Sequence, residues 1–145
     1  MLSLNGNSIY CRTTEEKILD LWDKNKYRKV SCRDFLYPAR GEKVYRLWNT
    51  DLVVENLETH KVMINISGAS EMDYKYYRYG RNKDVIITQT TKSRLNAFLQ
   101  YYGLDTLEVH NSMKDFSVKY RGKVLKIDSW YSLDLENKEL ILVEE

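Results

Sequence analysis

The run DVIITQTTKSRLNAFLQYYG, residues 84–103, constrains the fold more than any other stretch. It passes from a strand pattern to a helix pattern with no loop between. Val85, Ile86 and Ile87 are β-branched, which suits a pleated, buried surface. Thr88, Thr90 and Thr91 follow, and the hydroxyl of Thr90 or Thr91 can cap a helix by accepting from its free N–H groups. Leu95, Phe98, Leu99 and Tyr102 then recur at i, i+3, i+4 and i+7, a single apolar stripe. Gly103 supplies the left-handed residue that ends the helix. A helix of this kind covers one face of a sheet, and the remaining segments read mostly as that sheet.

Asn5-Gly6 marks a tight turn in a small N-terminal hairpin over 2–12. Thr13-Thr14-Glu15-Glu16 fits a capping box, with Thr13 as N-cap and Glu16 reaching back. It opens a helix over about 13–24, with Ile18, Leu21 and Trp22 on the apolar side. Residues 30–37 and 43–48 read as strands separated by a turn at Pro38-Ala39-Arg40-Gly41. In the second of them Val44, Arg46 and Trp48 share one side. Residues 52–56 and 62–66 form the clearest hairpin, its second arm alternating Val62, Ile64 and Ile66 with Met63 and Asn65. Strand patterns recur at 107–110, 116–120, 124–127, 129–135 and 140–143. Hairpin connections imply antiparallel pairing. The expected class is α+β: one domain over 1–145, a mainly antiparallel sheet of short strands packed against helices at about 13–24 and 91–102.

The bulk properties exclude more than they assign. At 145 residues the chain suits one domain able to bury a core without staples. A net charge of +2 does not demand a polyanionic partner. Cys11 and Cys32 are too few and too isolated for a disulfide framework and point to a reducing compartment. No signal-peptide pattern opens the chain, and no window is long and apolar enough to span a bilayer, so an intracellular location without membrane association is expected.

Catalytic signatures are missing from the sequence. His60 and His110 have no second ligand at metal spacing, Gly68 and Gly80 stand alone rather than building a phosphate loop, and no nucleophile elbow occurs. No enzyme activity, metal or cofactor is expected.

Two segments carry binding chemistry. The first interleaves Tyr74, Tyr76, Tyr77 and Tyr79 with Lys75, Arg78, Arg81 and Lys83. Rings for stacking and cations for phosphates are what single-stranded nucleic acid binding uses. Tyrosine and arginine are equally the currency of protein–protein hot spots. An edge hairpin with tyrosines on the core and cations in solvent explains the same composition, and the sequence does not separate these readings. The second segment is the helix entry Thr90, Thr91, Lys92 and Arg94, where hydroxyls, free N–H groups and positive charge suit an anion, although plain capping accounts for it as well. Basic residues also gather at Lys24, Lys26, Arg28, Lys29 and Arg33, and at Lys119, Arg121, Lys123 and Lys126.

YRLWNTDLVVENLETHKVMINISG followed by ITQTTKSRLNAFLQYYG resembles a group of small accessory proteins of tailed bacteriophages and prophages. The shared features are a tyrosine-plus-threonine strand, a hairpin ending in glycine, and a T-x-T-T-K-x-R-L-N entry to a helix. Tyr45, Asn49, Thr50, Val53, Val54, Glu58, Ile64, Gly68, Thr88, Thr90, Thr91, Lys92, Arg94, Leu95 and Asn96 carry the likeness, over roughly the middle two-fifths of the chain. The chain departs from that group between Ala69 and Asp84, where a tyrosine-rich insertion replaces a short link. The resemblance implies a protein of the bacterial host cytoplasm that acts stoichiometrically on a macromolecule. An anti-CRISPR-type inhibitor of a host-defence (Cas) nuclease, with Tyr74, Lys75, Tyr76, Tyr77, Arg78, Tyr79 and Arg81 as the contact region, is the leading expectation. A nucleic-acid-binding module using 74–83 with Lys92 and Arg94 is the alternative. The aromatic segment is also compatible with a homodimer.

Overall fold

The computed structural model describes Leu4, Ile9 and residues 12–68, 86–112 and 115–143. The expected N-terminal hairpin lies largely outside these residues, although Leu4 and Ile9 are buried in the core. The described elements are α1 (Arg12–Asp23), β1 (Asp34–Ala39), β2 (Glu42–Leu47), β3 (Thr50–Asn56), β4 (Val62–Ile66), α2 (Gln89–Tyr101), β5 (Glu108–Ser112), β6 (Asp115–Tyr120), β7 (Lys123–Val124), β8 (Ser129–Asp134) and β9 (Glu139–Leu142). The class is α+β. A six-stranded sheet runs β1-β2-β3-β4-β8-β9 and a three-stranded sheet runs β5-β6-β7, antiparallel throughout.

Every hairpin turn among the described residues contains a residue at positive φ. Arg40 and Gly41, at φ 51° and 79°, make a two-residue turn whose twist matches the flanking strands. Across the large sheet Leu36, Tyr45, Val53, Ile64, Tyr131 and Leu142 fall in one register row and line the face that receives the helices. On the opposite face Tyr37, Val44, Val54, Met63, Ser132 and Ile141 form the neighbouring row. A bulge after Tyr45 sets Arg46 across from Asp51 on that outer face.

Both helices end in the same way. In α1, Lys26 N donates to Leu21 O and Asn25 N to Trp22 O, with Asn25 left-handed at φ 53°. In α2, Leu104 N donates to Leu99 O and Gly103 N to Gln100 O, with Gly103 at φ 79°. Both satisfy the last carbonyls through a Schellman arrangement, and Gly103 ends its helix as its sequence position predicts.

The helix starts differ from expectation. α1 begins at Arg12, so Thr13 lies inside it, and the Glu16 carboxylate accepts from Leu4 N at 3.4 Å. α2 is capped by Thr88, whose Oγ1 accepts from Thr91 N at 3.1 Å, rather than by Thr90 or Thr91. Ile86 and Ile87 form a bend, not a strand. Their β-branching serves burial of Ile87 against the core instead.

Gly68 follows β4 and donates its N–H to Asp128 Oδ1 at 2.8 Å. A Cβ placed there would overlap Cγ2 of Ile127, a methyl fixed to a β-branched carbon with little freedom to move. Gly68→Ala is expected to destabilise by about 1–3 kcal/mol, the usual cost of overpacking. Chemical denaturation with an unchanged slope would register it; a neutral result would show that Ile127 yields freely.

Candidate functional site

Arg94 determines how the candidate site is held. It stands four residues before Phe98, on the stripe of α2 that faces the sheet, and is fully buried. Its Nε and Nη2 donate to the two carboxylate oxygens of Asp34 at 2.9 and 3.1 Å, and Nη1 donates to Glu15 Oε2 at 2.8 Å. Glu15 occupies the equivalent stripe of α1, with Ile18, Leu19 and Trp22, and also accepts from the Ser93 hydroxyl. Tyr45 donates its hydroxyl to Asp34 Oδ1 at 2.5 Å, and Ser31 donates to Oδ2 at 2.5 Å. Burial by itself pushes the Asp34 carboxyl up, but hydrogen bonds from Arg94, Ser31 and Tyr45, with the guanidinium charge, hold it below the usual carboxylate range. Burial and the adjoining Asp34 charge push the Tyr45 phenol well up, so it stays a donor.

This junction anchors residues 28–33. Val30 N and Ser31 N donate to Asp34 O, Arg33 N donates to Ser31 Oγ, and Leu36 N donates to Arg28 O. The segment is therefore folded back along β1 instead of continuing it as a strand. It carries Arg28, Lys29 and Cys32 to the outer face, where they rim an open groove of about 380 Å³. Two cation–aromatic pairs line it. Arg46 lies 4.8 Å from the Tyr37 ring centroid and Lys29 lies 5.9 Å from that of Phe35. Asp51 fixes the first pair, accepting from Arg46 Nε and from the Tyr37 hydroxyl, each at 2.8 Å.

Trp48 closes the groove and is its most unusual residue. It sits in the turn between β2 and β3, not in the strand where its spacing from Val44 and Arg46 places it by sequence. Its backbone is left-handed at φ 55°, a conformation that bulky residues rarely adopt. Its N–H donates to Arg33 O at 2.7 Å, which locks the turn against the basic segment. More than half of the residue, 55%, is exposed. Backbone strain and an exposed indole thus fall on one residue, and both are unfavourable to the folded state taken alone.

The expected contact residues Tyr74, Lys75, Tyr76, Tyr77, Arg78, Tyr79 and Arg81 lie outside the described residues. Thr90, Thr91, Lys92 and Arg94 do not converge on an anion. Thr91 is buried against Thr88, and Arg94 has turned into the core, where its three nitrogens are bound to carboxylates. The reason is helical geometry: Arg94 shares a face with Phe98, and a long charged side chain on that face must find buried partners. Sequence reasoning passed over the groove. Its available signal was the basic run at 24–33 beside a tryptophan next to a turn.

Among the described residues, no group of three or more His, Cys, Asp or Glu side chains is placed to hold a metal ion. No helix among them is long and apolar enough to cross a membrane. The fold and groove define an α+β chain with an aromatic–cationic surface on the outer face of its main sheet. No protein-family model, curated protein or solved structure matches this chain.

Proposed function

We propose that this chain is a non-catalytic binding protein that acts stoichiometrically, by laying the outer face of β1 and β2 on a macromolecular target. Trp48 carries this reading: a strained, exposed indole beside cation–aromatic pairs has a use only if something covers it. Inhibition of a host-defence nuclease, suggested by the phage resemblance, is the narrower protein-directed form. Engagement of nucleic acid is the other, and Arg28 and Lys29, which no carboxylate among the described residues neutralises, favour it.

Trp48→Gly tests the surface without harming the fold. Relief of the positive φ offsets the lost ring contacts, so stability is expected to stay within about 1 kcal/mol of wild type. Burial makes the contrast, since truncating a core tryptophan costs about 3–5 kcal/mol. Capture of a target from host lysate, with and without nuclease treatment, is expected to be lost in the variant. Undiminished capture would remove Trp48 and this face from the function.

A further inference from the structure

The groove beside Trp48 has a composition that selects among partners. Arg28 and Lys29 are exposed at its rim, and among the described residues no carboxylate pairs with either. Arg46 is different: Asp51 already neutralises it at 2.8 Å, so it serves as a scaffold for the Tyr37 ring. The arrangement therefore separates two tasks. Trp48 offers an open ring, and Arg28 and Lys29 offer positive charge that no carboxylate among the described residues neutralises, with the Lys29 ammonium also 5.9 Å from the Phe35 ring centroid.

A protein partner would have to bring carboxylates for these cations; arginine and tryptophan suit such an interface, but lysine is depleted from its centre. A nucleic acid strand brings one phosphate for each base. An exposed ring stacks only on a base whose face is free, which selects a single strand over a duplex. We infer that the groove bounded by Trp48, Arg28 and Lys29 binds single-stranded nucleic acid, with an unpaired base stacked on the Trp48 indole and the flanking phosphates held by Arg28 and Lys29. The inference rests on the reading of this face as the working surface. Three of its supports are independent of one another: the strained turn that presents Trp48, the pairing of Arg46 with Asp51 while Arg28 and Lys29 meet no carboxylate among the described residues, and the core junction that fixes residues 28–33 in place.

The test is a fluorescence-anisotropy titration of the full chain with a fluorescein-labelled oligothymidine of about 12 nucleotides, a length within the usual single-strand site size. A duplex of the same length is the comparison. Wild type is expected to bind the single strand in preference to the duplex. Trp48→Ala is expected to weaken binding roughly 5- to 150-fold, while Trp48→Tyr keeps most of it. Arg28→Gln and Lys29→Gln are each expected to lower the slope of log K against log salt concentration by about 0.7. Cys32 lines the groove, so bound oligonucleotide is expected to slow its alkylation by N-ethylmaleimide, read by peptide mass spectrometry. Equal binding of duplex, binding indifferent to Trp48→Ala, or unprotected Cys32 would each overturn the assignment. So would absence of binding. If Trp48-dependent capture of a nuclease-resistant protein partner persists in that case, the wider reading survives and only the ligand class is wrong. If neither depends on Trp48, both are wrong.

Discussion

Replacing Arg94 by methionine is expected to destabilise the fold by about 3–5 kcal/mol, because it leaves Glu15 and Asp34 buried without their cation. For a chain of this size that is a fall of roughly 10–16 °C in the thermal midpoint. The pH dependence is the sharper readout. In the native chain the Asp34 carboxyl lies below its unfolded value, so its contribution is present above the unfolded pKa and is lost as pH falls through the folded one. Without the guanidinium, burial becomes the dominant influence and the carboxyl rises instead. The folded variant then binds more protons than the unfolded chain, and its stability should increase as pH drops from neutral towards about 5. Across that interval the native chain should stay nearly flat as far as this carboxyl is concerned, while thermal melts of the variant should rise as pH falls. Parallel curves would mean that the carboxylates find other partners.

Phe98→Ala is the second large effect, at about 3–5 kcal/mol. Phe98 is 1% exposed and touches two aromatic rings, Trp22 edge-on at 5.0 Å and Tyr45 at 5.2 Å. Each ring belongs to a polar network. Tyr45 donates to Asp34, and Trp22 Nε1 donates to the Tyr102 hydroxyl at 2.8 Å, which donates in turn to Glu55 at 2.5 Å. Lys43 completes the second network, donating to Trp22 O at 2.8 Å with its ammonium 4.7 Å from the indole centroid. Truncating Phe98 therefore opens a void between two sets of oriented groups. Phe98→Leu, which keeps much of the volume, should cost under about 1.5 kcal/mol. A loss below about 1 kcal/mol for alanine in urea titrations would show that Trp22 and Tyr45 collapse into the space.

The periodic elements were legible because their signals are local. The stripe of α2, the glycine that ends it and the alternation of β4 are each contained in a few residues. The charged core was harder to read because it is made by three distant segments. Glu15 and Arg94 each stand on an apolar stripe of a different helix, and Asp34 opens a strand. Their spacing marks them as buried, but only the assembled fold pairs them. Trp48 misled for another reason. Strand alternation places it with Val44 and Arg46, whereas the bulge and the left-handed turn release it from the sheet. The tyrosine-rich stretch singled out from composition lies outside the described residues, and the groove is built from a basic run that looked ordinary in sequence.

The place where that stretch joins the fold has a consequence for how such chains diverge. A Cβ on Gly68 would lie 3.4 Å from the carbonyl oxygen of Ile86, so the backbone resumes its course beside the point where it left. Both anchorages are tied down elsewhere, Gly68 to Asp128 and Ile86 to Asn111. Closing a connection between fixed neighbours becomes only slowly more costly with length, by about 0.6 kcal/mol per doubling. This joint can thus accept insertions and deletions with little penalty to the sheet or to α2. Changes of length between Gly68 and Ile86 would leave the pairing of the sheet and the seat of α2 as they are.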